Sequence, residues 1–196
     1  MKALKIIGII LLVIALALTG FIMSLNGEGN LERSIIVNAP AEKVFMVVND
    51  FGYAKDWSPW LQIDPDAKYV YSENTSGLGA KYSWESDNDQ VGNGRQEIIE
   101  SIPNELVNTR MAFGDMLGDY TAAFKLTAAE GGTEVTWTLV SKASNGGVME
   151  KFFVDYISDN VIGPTYEEGL KELKKFIEGL PDPKPMLIQQ DSTLQG

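Results

Sequence analysis

The sequence predicts an α+β domain, one antiparallel sheet closed by a long C-terminal helix, carried behind a single apolar helix. Three observations carry this reading. An uncharged run, Ile6 to Leu25, precedes everything else. From Lys68 to Lys142 short strand-like runs alternate with turn signals. After Gly146-Gly147 the apolar spacing changes from a period of two to the helical period.

The apolar run is 20 residues long and, at about 1.5 Å per residue, reaches about 30 Å, the thickness of a hydrocarbon core. Thirteen of its residues are Ile, Leu, Val or Phe, and none is charged, which favours insertion. It reads as an uncleaved transmembrane anchor over 6–25 behind a short N-terminus, 1–5. The alternative is a cleaved signal peptide, with Lys2 and Lys5 as its basic end and Ala15-Leu16-Ala17 as the cleavage site. Apolar sequence continues well past that site, which favours the anchor. With no Cys after the run, a lipoprotein anchor is excluded. Lys2 and Lys5 precede the span, while Glu28, Glu32 and a single Arg33 follow it, so the folded domain is expected outside the cytoplasmic membrane.

The net charge of −11 argues against nucleic acid, whose phosphates require clustered Lys and Arg. The chain has no His and no Cys, which removes imidazole metal ligation, Ser-His and Cys-His catalysis, and disulfides. No cofactor or metal site is expected. No catalytic residue is assigned either. Arg95 and Glu97, two apart on one strand, leave open an ion pair in or near a pocket, whereas Arg110 falls on the parity of solvent-facing residues. Asp50-Phe51-Gly52 spells a kinase motif without the other kinase elements, and Asp64-Pro-Asp66 and Asp87-Asn-Asp89 are turn chemistry.

The elements follow in order. Ile35 and Val37 lie in a β-prone run ended by Asn38-Ala39-Pro40, and Pro40 opens a helix with Val44, Phe45 and Val48 on one face. Trp57 and Trp60 sit on a short turn or helix before Pro65. Strands are expected at Lys68–Ser72, Ala80–Ser86, Arg95–Ile102, Glu105–Phe113, Tyr120–Ala128 and Glu134–Lys142. Met149, Phe152, Phe153, Tyr156 and Ile157 recur at helical spacing. Beyond Gly163-Pro164, which either starts a helix or kinks one, Tyr166, Leu170, Leu173, Ile177 and Leu180 form a second stripe. From Pro181 the Pro-rich end, 181–196, reads as a disordered tail.

Strand parity divides the sheet into an aromatic and a polar side. Tyr82 and Trp84 share one face, as do Tyr120, Ala122, Phe124 and Leu126, and Val135, Trp137 and Leu139. The aromatic side is expected to meet Phe152, Phe153, Tyr166 and Leu170. Trp and Tyr suit a pocket, because their polar tips need partners when buried. The same residues also suit an ordinary core. Gly169 inside the last helix either leaves room in a cavity or permits close helix–sheet packing. Trp57 and Trp60 either cap a cavity mouth or staple the small helices to the sheet.

Leu31–Val48, with Glu-Arg-Ser-Ile-Ile-Val-Asn-Ala-Pro-Ala-Glu-Lys-Val-Phe, resembles the START-like polyketide cyclase/dehydrase and lipid-transport superfamily (SRPBCC). So do Asn49-Asp50 with Trp57-Ser-Pro-Trp60, Gly79-Ala-Lys-Tyr-Ser-Trp84, Gly92-Asn-Gly94, Gly132-Thr-Glu-Val-Thr-Trp137 and Glu168–Lys174. The resemblance covers about residues 31–180. It implies a helix-grip fold, a curved sheet wrapped around the C-terminal helix with a cavity between them. The expected occupant is a hydrophobic or amphipathic small molecule, lipid-like or aromatic. Its candidate contacts are Trp57, Trp60, Tyr82, Trp84, Tyr120, Phe124, Trp137, Phe153, Tyr166 and Leu170. An enzyme of cyclase, dehydratase or hydrolase type on the same fold is the second reading, and a domain with a filled core that acts through protein contacts is the third.

Overall fold

Seven strands pair antiparallel into one sheet, in the order β1-β7-β6-β5-β4-β3-β2. The computed structural model describes residues 2–114, 119–143 and 147–181, with the side chains of 2–4, 153, 157–159 and 161 left aside. The tail expected beyond Pro181 and the side chain of Phe153 lie outside the described residues.

Helix α1 (Lys2–Ser24) carries the apolar run and is long and apolar enough to cross a membrane. Strand β1 (Glu28–Val37) follows after three residues. Pro40, extended at φ −66° and ψ 151°, precedes α2 (Ala41–Val48), because a pre-set φ and a missing N–H cost nothing there. Val44, Val47 and Val48 are buried on α2, while Phe45 is only half-buried. Asp50 caps the single 3-10 turn Phe51–Tyr53, its carboxylate accepting from the Gly52 N–H. Two short helices then carry the tryptophans, α3 (Ala54–Trp57) and α4 (Pro59–Ile63).

The strands β2 (Lys68–Tyr71), β3 (Lys81–Glu85), β4 (Gly94–Ile102), β5 (Leu106–Phe113), β6 (Asp119–Ala129) and β7 (Gly132–Lys142) fall within two residues of the expected spans. Their alternation holds because only one face is buried. It breaks once: between Ile98 and Glu100 the β4–β5 register shifts, so Ile99 is an extra residue and parity reverses beyond it.

The C-terminal segment is continuous helix with a change of winding. Helix α5 (Val148–Phe152) passes into a π-helix (Phe153–Ile162), and α6 (Gly163–Gly179) completes it. Pro164 falls in the first turn of α6, where the winding changes from π to α, so it lies inside the continuous segment and does not open it. Helix α6 buries Tyr166, Gly169, Leu170, Leu173 and Ile177 against the sheet. Lys43, absent from any sequence expectation, is buried with its ammonium donating to the Leu180 carbonyl at 2.6 Å, tying α2 to the end of α6.

Candidate functional site

The register assembles the inner face row by row. Tyr71, Tyr82, Gln96, Met111 and Tyr120 are successive cross-strand partners, as are Val107, Phe124 and Trp137 two strand periods further on. Tyr120 and Phe124 are four residues apart, about 13 Å along β6, and the small Ala122 lies between them on the same face.

Trp137 is the hub. Its ring stacks on Tyr166 with centroids 4.0 Å apart and on Phe124 at 4.8 Å, while Trp57 and Trp60 meet it edge-on at 5.6 and 5.7 Å. Trp60 also meets Tyr166 at 5.8 Å, and Trp57 meets Phe124 at 5.8 Å. The two tryptophans of α3 and α4 therefore staple those helices to the sheet and to α6. Gly169 supplies the clearance, since a Cβ there would lie 2.8 Å from the Trp137 ring and 3.1 Å from Pro59. Close packing, rather than an open void, accounts for this glycine.

The second part of the inner face is more polar. Tyr82 donates to Gln96 Oε1 at 3.0 Å, Gln96 Nε2 donates to Thr109 Oγ1 at 2.8 Å, and Thr109 donates to the Ala122 carbonyl at 3.0 Å. Burial pushes the Tyr82 and Tyr166 hydroxyls well above the ordinary tyrosine range, so both stay neutral. Trp84 donates to the Val91 carbonyl at 3.2 Å, and its indole lies over Gly94, where a Cβ would stand 2.3 Å from the ring.

Two buried polar atoms have no hydrogen-bond partner among the described residues, Trp57 Nε1 and Tyr120 Oη. Such atoms are rare in a finished core, because each carries an uncompensated desolvation cost. Burial, with the Glu150 carboxylate adding to it, raises the Tyr120 pKa.

Of the ten expected contacts, eight (Trp57, Tyr82, Trp84, Tyr120, Phe124, Trp137, Tyr166 and Leu170) are buried, and Trp60 is half-buried against them. Phe153 lies on the π-helix, its side chain outside the described residues. Phe152, expected to face the sheet, instead meets Phe21 of α1 at 6.3 Å and stacks on the exposed Tyr156 at 5.4 Å. Arg95 and Glu97 are exposed and stand on the outer face with Lys81 and Arg110, around a groove of about 590 Å³. They form no pair inside the domain. Arg33 and Glu167 do pair, at 2.9 Å, at the rim where β1 meets α6. Among the described residues no cluster of acidic side chains is placed to hold a metal ion.

A curved antiparallel sheet gripping a C-terminal helix over an aromatic interior defines the helix-grip class. Residues 28–178 match the family described as polyketide cyclase/dehydrase and lipid transport, and the chain belongs to that family. Norcoclaurine synthase from Thalictrum flavum shares the fold at a TM-score of 0.58 and 14% identity, over 78% of this chain and 88% of that one. Protein CV1439 from Chromobacterium violaceum aligns at 0.53 and 16%, over 79% and 99%. The di-domain ARO/CYC StfQ from the steffimycin biosynthetic pathway aligns at 0.55 and 13%, over 77% of this chain and 51% of that one. No curated protein sequence matches the chain significantly.

Proposed function

We propose that this protein is a membrane-anchored START-like domain that takes up a hydrophobic or amphipathic small molecule between its sheet and C-terminal helix. Helix α1 is the anchor, with the domain on the extracytoplasmic side. The pair of unpartnered buried tips, Trp57 Nε1 and Tyr120 Oη, carries the reading. Trp57 lies against Phe124, and Tyr120 lies about 13 Å away on the same face of β6. Between them one cross-strand row holds Thr109, Ala122 and Leu139, apolar apart from the Thr109 hydroxyl, which donates to the Ala122 carbonyl. An elongated ligand with a polar group at one or both ends satisfies that arrangement, and its affinity comes from apolar burial at about 25 cal/mol per Å². Trp137, Phe124, Tyr166 and Leu170 give the apolar wall, while Tyr82, Trp84 and Trp60 complete the lining. Entry requires the helical segment over the sheet to move, and the π-helix is the part of it with the least favourable winding.

A second reading draws on the close packing around Trp137 and Gly169, which makes the interior a finished core and the domain a partner-binding module. An environment-sensitive naphthalene probe separates the two. Saturable binding near one probe per domain from Asn26 onward supports the ligand reading, and absence of saturable binding supports the filled core.

A further inference from the structure

Among the described residues, a stripe of large apolar side chains beside the apolar helix stands in the open. Val148 is 44% exposed, Met149 78% and Tyr156 53%. With Phe152 they occupy positions 0, 1, 4 and 8 of the α5–π segment, a single helical face. Phe152 joins Tyr156 on one side and Phe21 of α1 on the other, so the stripe is continuous with the apolar surface of α1. The junction is fixed by hydrogen bonds: the backbone N–H groups of Asn26 and Gly27 donate to the two oxygens of the Asp155 carboxylate at 3.0 and 2.9 Å. Phe21 is three residues short of the end of α1, about 5 Å below it along the axis. A side chain touching Phe21 therefore reaches the depth at which the apolar part of α1 ends.

Water is a poor surrounding for such a stripe, since adjoining exposed apolar residues mark an interaction surface. The acyl–headgroup boundary suits it. Val, Met and Phe enter the acyl region there, while the Tyr ring lies at headgroup level.

We propose that the face of Val148, Met149, Phe152 and Tyr156 rests in the bilayer leaflet that receives the outer end of α1, which holds the domain against the membrane with its α5–π segment downward. The proposal rests on the anchor reading of α1. It deepens the proposed function, because the π-helix of that segment packs against β1 and β7. A ligand dissolved in the leaflet then meets the helical cover of the sheet without crossing water.

The absence of cysteine makes a labelling test direct. Single substitutions Val13→Cys, Glu130→Cys and Met149→Cys, each carrying a small fluorophore, are placed in the full chain reconstituted in phosphatidylcholine vesicles. Val13 lies mid-span, and Glu130 is exposed at the β6–β7 turn, some 30 Å away along β1 from the anchor. Met149 is exposed, so its replacement leaves the fold intact. The expected result is quenching at 149 by lipid carrying a nitroxide high on its acyl chain, several-fold stronger than at 130. Quenching at 149 equal to that at 130, with 13 quenched by a nitroxide deep in the bilayer, overturns this proposal and leaves the anchor standing. Loss of quenching at 13 as well overturns both. A Tyr156→Cys label should report the same as 149, with weaker quenching because it lies nearer the headgroups.

Discussion

Trp137 and Tyr166 lie ring on ring, 4.0 Å apart and tilted by 25°, one from β7 and one from the C-terminal helix. This contact sets the distance between sheet and helix. Gly169, one turn further along α6, is the residue whose missing side chain allows it.

Replacing Gly169 by Ala should therefore destabilise the domain, although Ala is the better helix former by about 1 kcal/mol. Overpacking against the Trp137 ring and Pro59 costs about 1–3 kcal/mol and outweighs the propensity gain. A net loss of about 1 kcal/mol lowers Tm by about 3 °C in a domain of this size. A rise in Tm by thermal unfolding would mean that the helix stands off the sheet.

Tyr120→Phe should leave the unliganded domain as stable as before or more stable, by up to about 1 kcal/mol, because it removes a buried hydroxyl that has no partner among the described residues. The same variant should bind the ligand several-fold more weakly. Chemical denaturation and a probe titration on one preparation give both numbers. Lower stability with unchanged binding would make Tyr120 an ordinary core residue.

Stability should be lost at alkaline pH. Tyr82 and Tyr166 are held neutral by burial, with pKa values raised above the ordinary value near 10 that the unfolded chain restores. Below pH 10 both states carry the proton and the contribution is constant. Above it the unfolded chain releases protons that the folded one keeps, and stability falls by up to about 1.4 kcal/mol per pH unit for each tyrosine. Urea midpoints between pH 8 and 11.5, followed with ultraviolet titration of the seven tyrosines, should show two that ionise only on unfolding. Seven tyrosines titrating together in a folded domain would contradict the burial described.

Asp155→Ala should loosen the join between α1 and the domain without touching the core. The carboxylate takes both backbone N–H groups of the linker, at Asn26 and Gly27. Hydrogen exchange at Asn26 and Gly27 should rise at least tenfold, while protection in β6 and β7 stays within about twofold, as expected for a local opening. Equal loss of protection in the sheet would show that the join supports the whole fold.

Much of this architecture was legible because the sheet has one wet face. Alternation placed Tyr82, Trp84, Tyr120, Phe124 and Trp137 on a common side, and pairing then brought Phe124 against Trp137. What was not legible depended on partners distant in sequence. Phe152 and Tyr156 have the same helical spacing as the buried stripe of α6, yet they stack on each other and Phe152 meets Phe21, 131 residues before it. Lys43 is buried because α6 places the Leu180 carbonyl, 137 residues away, beside its ammonium. The bulge at Ile99 reverses parity without any Gly or Pro to announce it. Of the candidate site, alternation gathered the aromatic side chains on one face; it held no signal for which two polar tips would lack partners among the described residues, because that depends on every neighbour at once.

Native mass spectrometry of the domain from Asn26 onward, followed by organic extraction of whatever it carries, tests the central claim most directly. One apolar or amphipathic molecule per domain is expected, retained by the wild type and depleted in Tyr120→Phe. A bare polypeptide mass, together with no saturable binding of an apolar probe, would contradict it and leave a domain whose aromatic interior is simply its core.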